Sequence, residues 1–376
     1  MKEINKRLFG GKEGLVGTLI LAFILAVVLP STLEVFRLNL VGKYLTYAFV
    51  AVGLVLLWGN AGVLSLGHGV FFGLGGYCMA MFLKLEASDP ISTKIQSTPG
   101  IPDFMDWNQL TALPAFWVPF KSFPFAMLAI IVVPTVIAYI VGTAMFKRRV
   151  GGVYFAVITQ ALALILSLGI DGNQGYTGGR NGITDLKTLL GWDIRSQSAQ
   201  YVLYFTTVGL LLLCICFARW VLSSKMGRIL NAMSEKEDRV RFSGYDVSNF
   251  KIFIYCLSAA LSGIGGALFV LQVGFISPSL VGIVPSIELV IFAAVGGKRS
   301  LIGAVYGTLL VNTGRSLFSE NFPQLWLYFM GGLFICVVVF MPNGMAGIWN
   351  TYGKRGMAWW KNRTPTEPAI PVREAC

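Results

Sequence analysis

Runs of apolar residues recur along this chain between short polar breaks, and their length constrains the fold more than any single motif does. A bilayer's hydrocarbon core is about 30 Å thick and is crossed by a helix of about 20 mostly apolar residues. Such runs fall at 14–30, 44–58, 62–83, 123–146, 150–170, 199–218, 252–273 and 325–341. Two shorter runs, 284–296 and 301–313, flank the basic turn Gly297-Lys298-Arg299-Ser300 and read either as thin spans or as a re-entrant pair. With 55% hydrophobic and only 13% charged residues, the chain cannot surround a soluble core with a polar shell. The expected fold is all-α: a polytopic transmembrane helical bundle of about 8–10 spans, with broken or re-entrant segments near 284–313.

The first run follows Lys2, Lys6, Arg7 and Lys12, the basic start that a secretory signal also has. It lacks a small-residue cleavage site and reads as a retained anchor. The net charge of +12 raises the question of nucleic acid. With ten crossings and both ends inside, most of the 30 Lys and Arg fall in cytoplasmic segments while the acids divide evenly. The basic excess therefore follows the positive-inside rule and does not point to nucleic acid. Cys78, Cys214, Cys216, Cys256 and Cys336 lie in apolar runs and Cys376 ends the chain, so neither a disulfide framework nor a zinc spacing is present.

This topology divides the chain into a cytoplasmic N-terminus (1–13), a transmembrane domain (14–346) and a cytoplasmic tail (347–376) expected to be disordered at its end. The domain carries outer loops at 84–122 and 171–198 and an inner loop at 219–251. The first outer loop holds Pro90, Pro99, Pro102, Pro114 and Pro119 and reads as an irregular, ordered cap. In the second, Thr177, Gly178 and Asn181 lie in a turn-rich stretch that either binds a small polar solute or closes the pore.

Glycines punctuate the spans. Gly69 with Gly73, and Gly303 with Gly307, have the spacing that lets helix backbones approach closely, and the same glycines suit broken helices lining a solute path. Asn60–Tyr77 and Gly296–Asn312 share this punctuation, too weakly to define a repeat. His68 is the one histidine, within an apolar run, and reads as a hydrogen-bonded packing residue or a proton relay. Glu288 is an acid at membrane depth, either structural, pairing near the membrane edge or capping the following turn, or part of a path.

Within the inner loop, Met226 to Val240 mixes Ile229, Leu230 and Met233 with charged residues at helical spacing, and Ser243-Gly244 ends the pattern. Such a helix docks a soluble partner or lies on lipid. Catalytic and nucleotide motifs are missing. Phe292 stands where a phosphate loop ending at Gly297-Lys298 needs its first glycine, and neither GxSxG nor HExxH occurs. The chain is thus expected to be no enzyme and to bind no cofactor or metal. ATP-driven transport would need another chain's ATPase.

The run from Asn60 through Leu64-Ser65-Leu66-Gly67-His68-Gly69 to Tyr77, the loop Tyr176-Thr177-Gly178-Gly179, and Gly227-Arg228 leading through Gly244 resemble the LivM-like permeases of branched-chain amino acid ABC importers. The resemblance covers roughly residues 40–345. Within that family, Ile101–Met105, Pro114–Trp117 and Gly179–Lys187 look most like the urea permease subunits (UrtC). The resemblance implies a bacterial inner-membrane importer with a second homologous permease, two cytoplasmic ABC ATPases and a periplasmic solute-binding protein, moving urea by alternating access. A branched-chain amino acid permease and a passive urea channel are the rival readings.

The same resemblance implies that Lys225–Asn249 docks on an ATPase, with Arg228, Asn231, Glu235, Arg239 and Gly244 as coupling residues. Ser65, His68, Gly69, Gly73, Tyr77, Thr177, Gly178, Asn181 and Glu288 are the path candidates. The family pattern carries Gln where His68 stands, which favours a packing or hydrogen-bonding role for this residue.

Overall fold

The computed structural model describes residues 12–90, 93–94, 96–322, 325–340 and 344–348. The terminal segments 1–11 and 349–376, which hold most of the expected cytoplasmic ends, lie outside the described residues.

Apolar runs become helices because only intrachain hydrogen bonds can satisfy backbone polar groups within a bilayer. In chain order they are α1 (Lys12–Phe23), α2 (Val35–Leu54), α3 (His68–Ala87), α4 (Phe123–Phe146), α5 (Gly152–Gly172) and α6 (Gln197–Ser223). There follow α7 (Lys225–Glu235), α8 (Glu237–Phe242), α9 (Val247–Val273), α10 (Ile283–Gly296), α11 (Leu301–Asn321) and α12 (Trp326–Phe340). π-Helical turns extend α1 and α2, the latter to Asn60. Polar side chains start several helices: Ser196, Ser224, Asp246 and Ser300 accept backbone N–H bonds at the starts of α6, α7, α9 and α11.

Among the described residues, six helices are long and apolar enough to cross a membrane: α2 with its extension, α3, α4, α5, α6 and α9. The pair α10 and α11 qualifies jointly but bends by 119° at its junction, the geometry of a broken span or a re-entrant loop and the place where the sequence expects one or the other. Two shorter apolar helices, Val16–Thr32 and Tyr328–Val337, complete the bundle.

Helix α9 is its axis, packed against α2, α3 and α4. The most apolar stretch of α3 is 83% buried, whereas that of α5 is only 28% buried and presents Val153, Tyr154 and Ile165 outward. Tight packing at the axis depends on glycine. A Cβ on Gly263 would lie 2.4 Å from the Ile130 carbonyl, an oxygen that Pro134, four residues on, has no N–H to bond. A Cβ on Gly75 would lie 2.2 Å from the Gly263 carbonyl.

The span expected at 62–83 is displaced. Residues 62–67 are not helical, Gly62 has φ +72°, and α3 begins only at His68. The segment starts close under α7, where a Cβ on Gly62 would lie 3.3 Å from the backbone of Ser234. The span expected at 44–58 starts earlier, at Val35, and the run at 301–313 continues to Asn321. The inner-loop helix is two helices, α7 and α8, broken at Lys236, whose φ of −149° is extended.

At the opposite end, the two long loops knit into one cap. Ile183 and Ile276 exchange backbone hydrogen bonds of 2.9 and 3.0 Å. Lys84 Nζ reaches Asp103 at 2.8 Å and the Thr184 carbonyl at 3.1 Å. The Glu86 carboxylate accepts N–H bonds from Leu190 and Gly191 at the tip of a hairpin pairing Thr188–Leu189 with Trp192–Asp193.

Candidate functional site

A cavity of about 610 Å³ opens between α2, α9, α10 and α11. Phe275 and Ser279 lie at its cap-side edge, on the segment that Ile276 ties to Ile183. Its floor is an aromatic cluster in which the Tyr47 ring lies 5.4 Å from Phe72, 5.6 Å from Phe269 and 5.9 Å from Phe292. Tyr47 stands halfway along the Val35–Asn60 helix, so this vestibule reaches the middle of the bundle.

Its walls carry charge of both signs. Arg315 Nη1 donates to the Glu288 carboxylate at 2.6 Å, joining α11 to α10. The Lys43 ammonium stands 5.8 Å from the centre of the Phe269 ring and pairs with no carboxylate among the described residues. Glu320 lines the same cavity, and a hydroxyl bond between Tyr44 and Ser316 closes one side. Charges held inside a membrane bundle line a water-filled path or pair with one another, and this cavity holds both arrangements.

A second polar group lies on another side of α3. His68 Nε2 meets Ser258 Oγ at 2.7 Å, and the imidazole stands edge-on to Phe71 and Tyr255. His68 Nδ1 is buried without a hydrogen-bond partner, and the Tyr255 hydroxyl lies buried beside the Ser65 hydroxyl. The Gly69 N–H donates to Ser286 Oγ at 3.1 Å, and the Ser65 hydroxyl accepts from Gly67. Segment 61–67 thus leads into the start of α3 where it meets the start of α10.

The residues singled out for a path do not converge on one place. Glu288 lies in the vestibule, paired with Arg315. Ser65, His68 and Gly69 lie in the buried polar cluster, and Gly73 packs on Val281, whose Cγ2 a Cβ would meet at 2.3 Å. Tyr77 is buried, its hydroxyl without a partner. Thr177, Gly178 and Asn181 belong to the cap, where the Thr177 hydroxyl bonds the Ile170 and Asn173 carbonyls and Asn181 is exposed. Lys43, Asn312, Arg315 and Glu320 escaped the sequence reading. Lys43 and Arg315 do interrupt apolar stretches, and that was the available signal.

At the other end, Gly227, Leu230 and Met233 of α7 face inward, while Arg228, Asn231 and Glu235 are exposed. Arg239 of α8 and Gly244 beyond it are exposed too. Glu237 anchors α8 through Arg241 at 2.9 Å and Lys251 at 2.6 Å.

A polytopic helical bundle with a charged vestibule ending at an aromatic floor defines a membrane permease. Residues 36–338 match the family described as the branched-chain amino acid transport system / permease component, and the chain belongs to that family. It is 24% identical over 349 residues to the high-affinity branched-chain amino acid transport system permease protein LivM of Escherichia coli (strain K12), covering 87% of this chain and 74% of that one. It is 22% identical to the corresponding protein BraD of Pseudomonas aeruginosa, over 80% of this chain and 92% of that one. A shorter stretch, 35% of this chain and 39% of its relative, is 28% identical to the fructose import permease protein FrcC of Rhizobium meliloti. No solved structure matches. The finer resemblance to urea permeases finds no support among these relatives, which favour the amino acid reading.

Proposed function

We propose that this chain is the permease subunit of an ATP-driven importer for a small nitrogenous solute of zero net charge, with a branched-chain or related amino acid as the first reading. The relatives carry that reading on the comparative side, since several are named as branched-chain amino acid permeases. The observation that carries it here is the vestibule: an amino acid needs a cation for its carboxylate, an anion for its ammonium and an apolar surface for its side chain. Lys43, the Glu288–Arg315 pair and the aromatic floor provide these.

The partners would be a second permease, two cytoplasmic ATPases and a periplasmic binding protein, with the cap facing the periplasm and α7 the cytoplasm of a bacterial inner membrane. α7 would receive the ATPase stroke on its exposed face. From there, Ser234 bears on Gly62, segment 61–67 leads into α3, and Phe72 of α3 lines the vestibule floor. A movement of α7 is thereby delivered to the solute cavity, as alternating access requires.

Urea is the second reading, supported by the resemblance of Ile101–Met105 and Gly179–Lys187 to urea permeases. Uptake of labelled leucine and labelled urea, in cells with and without this gene and with the ATPase intact or disabled, decides between the two. Gene- and ATPase-dependent leucine uptake supports the first reading, and urea uptake with no leucine competition moves the protein to the second. Urea flux that survives a disabled ATPase describes a passive channel and contradicts both.

A further inference from the structure

Resting on the transport reading above, we infer that the vestibule is itself a solute-binding site, in which Lys43 takes an oxygen acceptor of the solute and Glu288 with Glu320 takes its N–H donors. The chemical class is a small solute of zero net charge bearing both groups, which an amino acid zwitterion presents as carboxylate and ammonium and a urea presents as carbonyl and amide.

Three observations carry this. The Lys43 ammonium lies within a membrane-crossing helix, with an aromatic ring as its neighbour and no carboxylate partner among the described residues. A cation at that depth is costly unless water or an anionic or carbonyl oxygen reaches it, and the cavity is the route by which one does. The opposite charge is present on the same cavity but committed differently. Glu288 is held by Arg315 from α11 and so is fixed in position, while Glu320 is exposed on the same wall.

The cavity also offers both kinds of surface, with Lys43, Glu288 and Glu320 on its walls and the rings of Tyr47, Phe72 and Phe292 at its floor, so a solute with one polar and one apolar end finds a counterpart for each. A solute without an apolar end, such as a urea, uses the charged wall alone. The volume of about 610 Å³ is in the range of small-molecule sites and holds either solute with water.

The test uses the assembled importer in lipid nanodiscs without its binding protein, carrying Ser319→Cys, a vestibule-wall position, and labelled with a charged thiosulfonate against the unmodified chain as background. Millimolar leucine or urea is expected to slow labelling by about tenfold, and adding Lys43→Gln is expected to abolish that protection. The solute that protects identifies the source of the chemistry. Should the cysteine variant not assemble, Lys43→Gln alone is expected to lower ATP-driven uptake of the transported solute by about tenfold at equal membrane levels. Labelling unaffected by either solute, or uptake unaffected by Lys43→Gln, in an importer that still accumulates one of them, overturns the site and leaves the transport reading standing. An importer that accumulates neither solute overturns the transport reading and the site with it.

Discussion

Arg315 of α11 and Glu288 of α10 meet at 2.6 Å, well away from the bend that joins the two helices, and the side chains are unequally sheltered, 42% exposed for the arginine and 13% for the glutamate. Arg315→Met takes a cation from beside a mostly buried carboxylate and is expected to destabilise the protein by about 1–3 kcal/mol, less than a fully buried pair because water reaches the arginine. Thermal unfolding in detergent measures this. The charge-exchanged double variant Glu288→Arg/Arg315→Glu is expected to recover part of the loss.

The exposed face of α7 is the expected contact with an ATPase. Arg228→Glu together with Glu235→Arg is expected to weaken co-purification of the ATPase by about tenfold, with unchanged permease in the membrane. A complex that survives this exchange would place the contact elsewhere.

Gly62 links α7 to α3, and its φ of +72° disfavours any side chain. Gly62→Val adds strain of about 1–2 kcal/mol and pushes against Ser234. Uptake is expected to fall while ATP hydrolysis by the assembled complex continues, which comparing the two rates in one preparation reveals.

His68 is held by Ser258 within the bundle. His68→Gln keeps a hydrogen-bonding side chain there without a titratable ring, and uptake is expected to stay within about threefold of the original between pH 6 and 8. A loss of transport on this substitution would return the residue to the proton-relay reading.

The Lys187 ammonium, and after it the Arg195 guanidinium, hold the Asp185 carboxyl below the usual carboxylate range. A depressed folded-state pKa gives stability that is present above the unfolded value of about 3.9 and is lost as pH falls through the folded one. The group is half exposed, so the effect is small. Proteolysis of the cap is expected to be flat from about pH 7 to 5 and to rise only below about pH 4, and Asp185→Asn is expected to lessen the rise slightly, the other cap carboxylates keeping the rest.

Much of this was legible from apolar run length, because a helix that must satisfy its own backbone in lipid leaves a long unbroken signature. The bent pair around Gly297–Ser300 and the inward stripe of α7 were visible for the same reason. The vestibule was not, because its walls come from helices far apart in the chain. Lys43 and Arg315 are single charges whose meaning depends on what they face. The unwinding of 62–67 was hidden because Val63, Leu64 and Leu66 are as apolar as any helical residue, and the positive φ of Gly62 appears only in the structure. His68 stood out for being alone, yet the structure ties it to Ser258 and the aromatic core rather than to the vestibule.

The central claim is that this permease moves its solute uphill at the expense of ATP. The direct measurement is accumulation of labelled leucine and urea by proteoliposomes holding the complete importer, with ATP supplied or withheld on the α7 side and the binding protein on the cap side. The account predicts accumulation above the external concentration with ATP and none without it. Equilibration of either solute at the same rate in both conditions would contradict it.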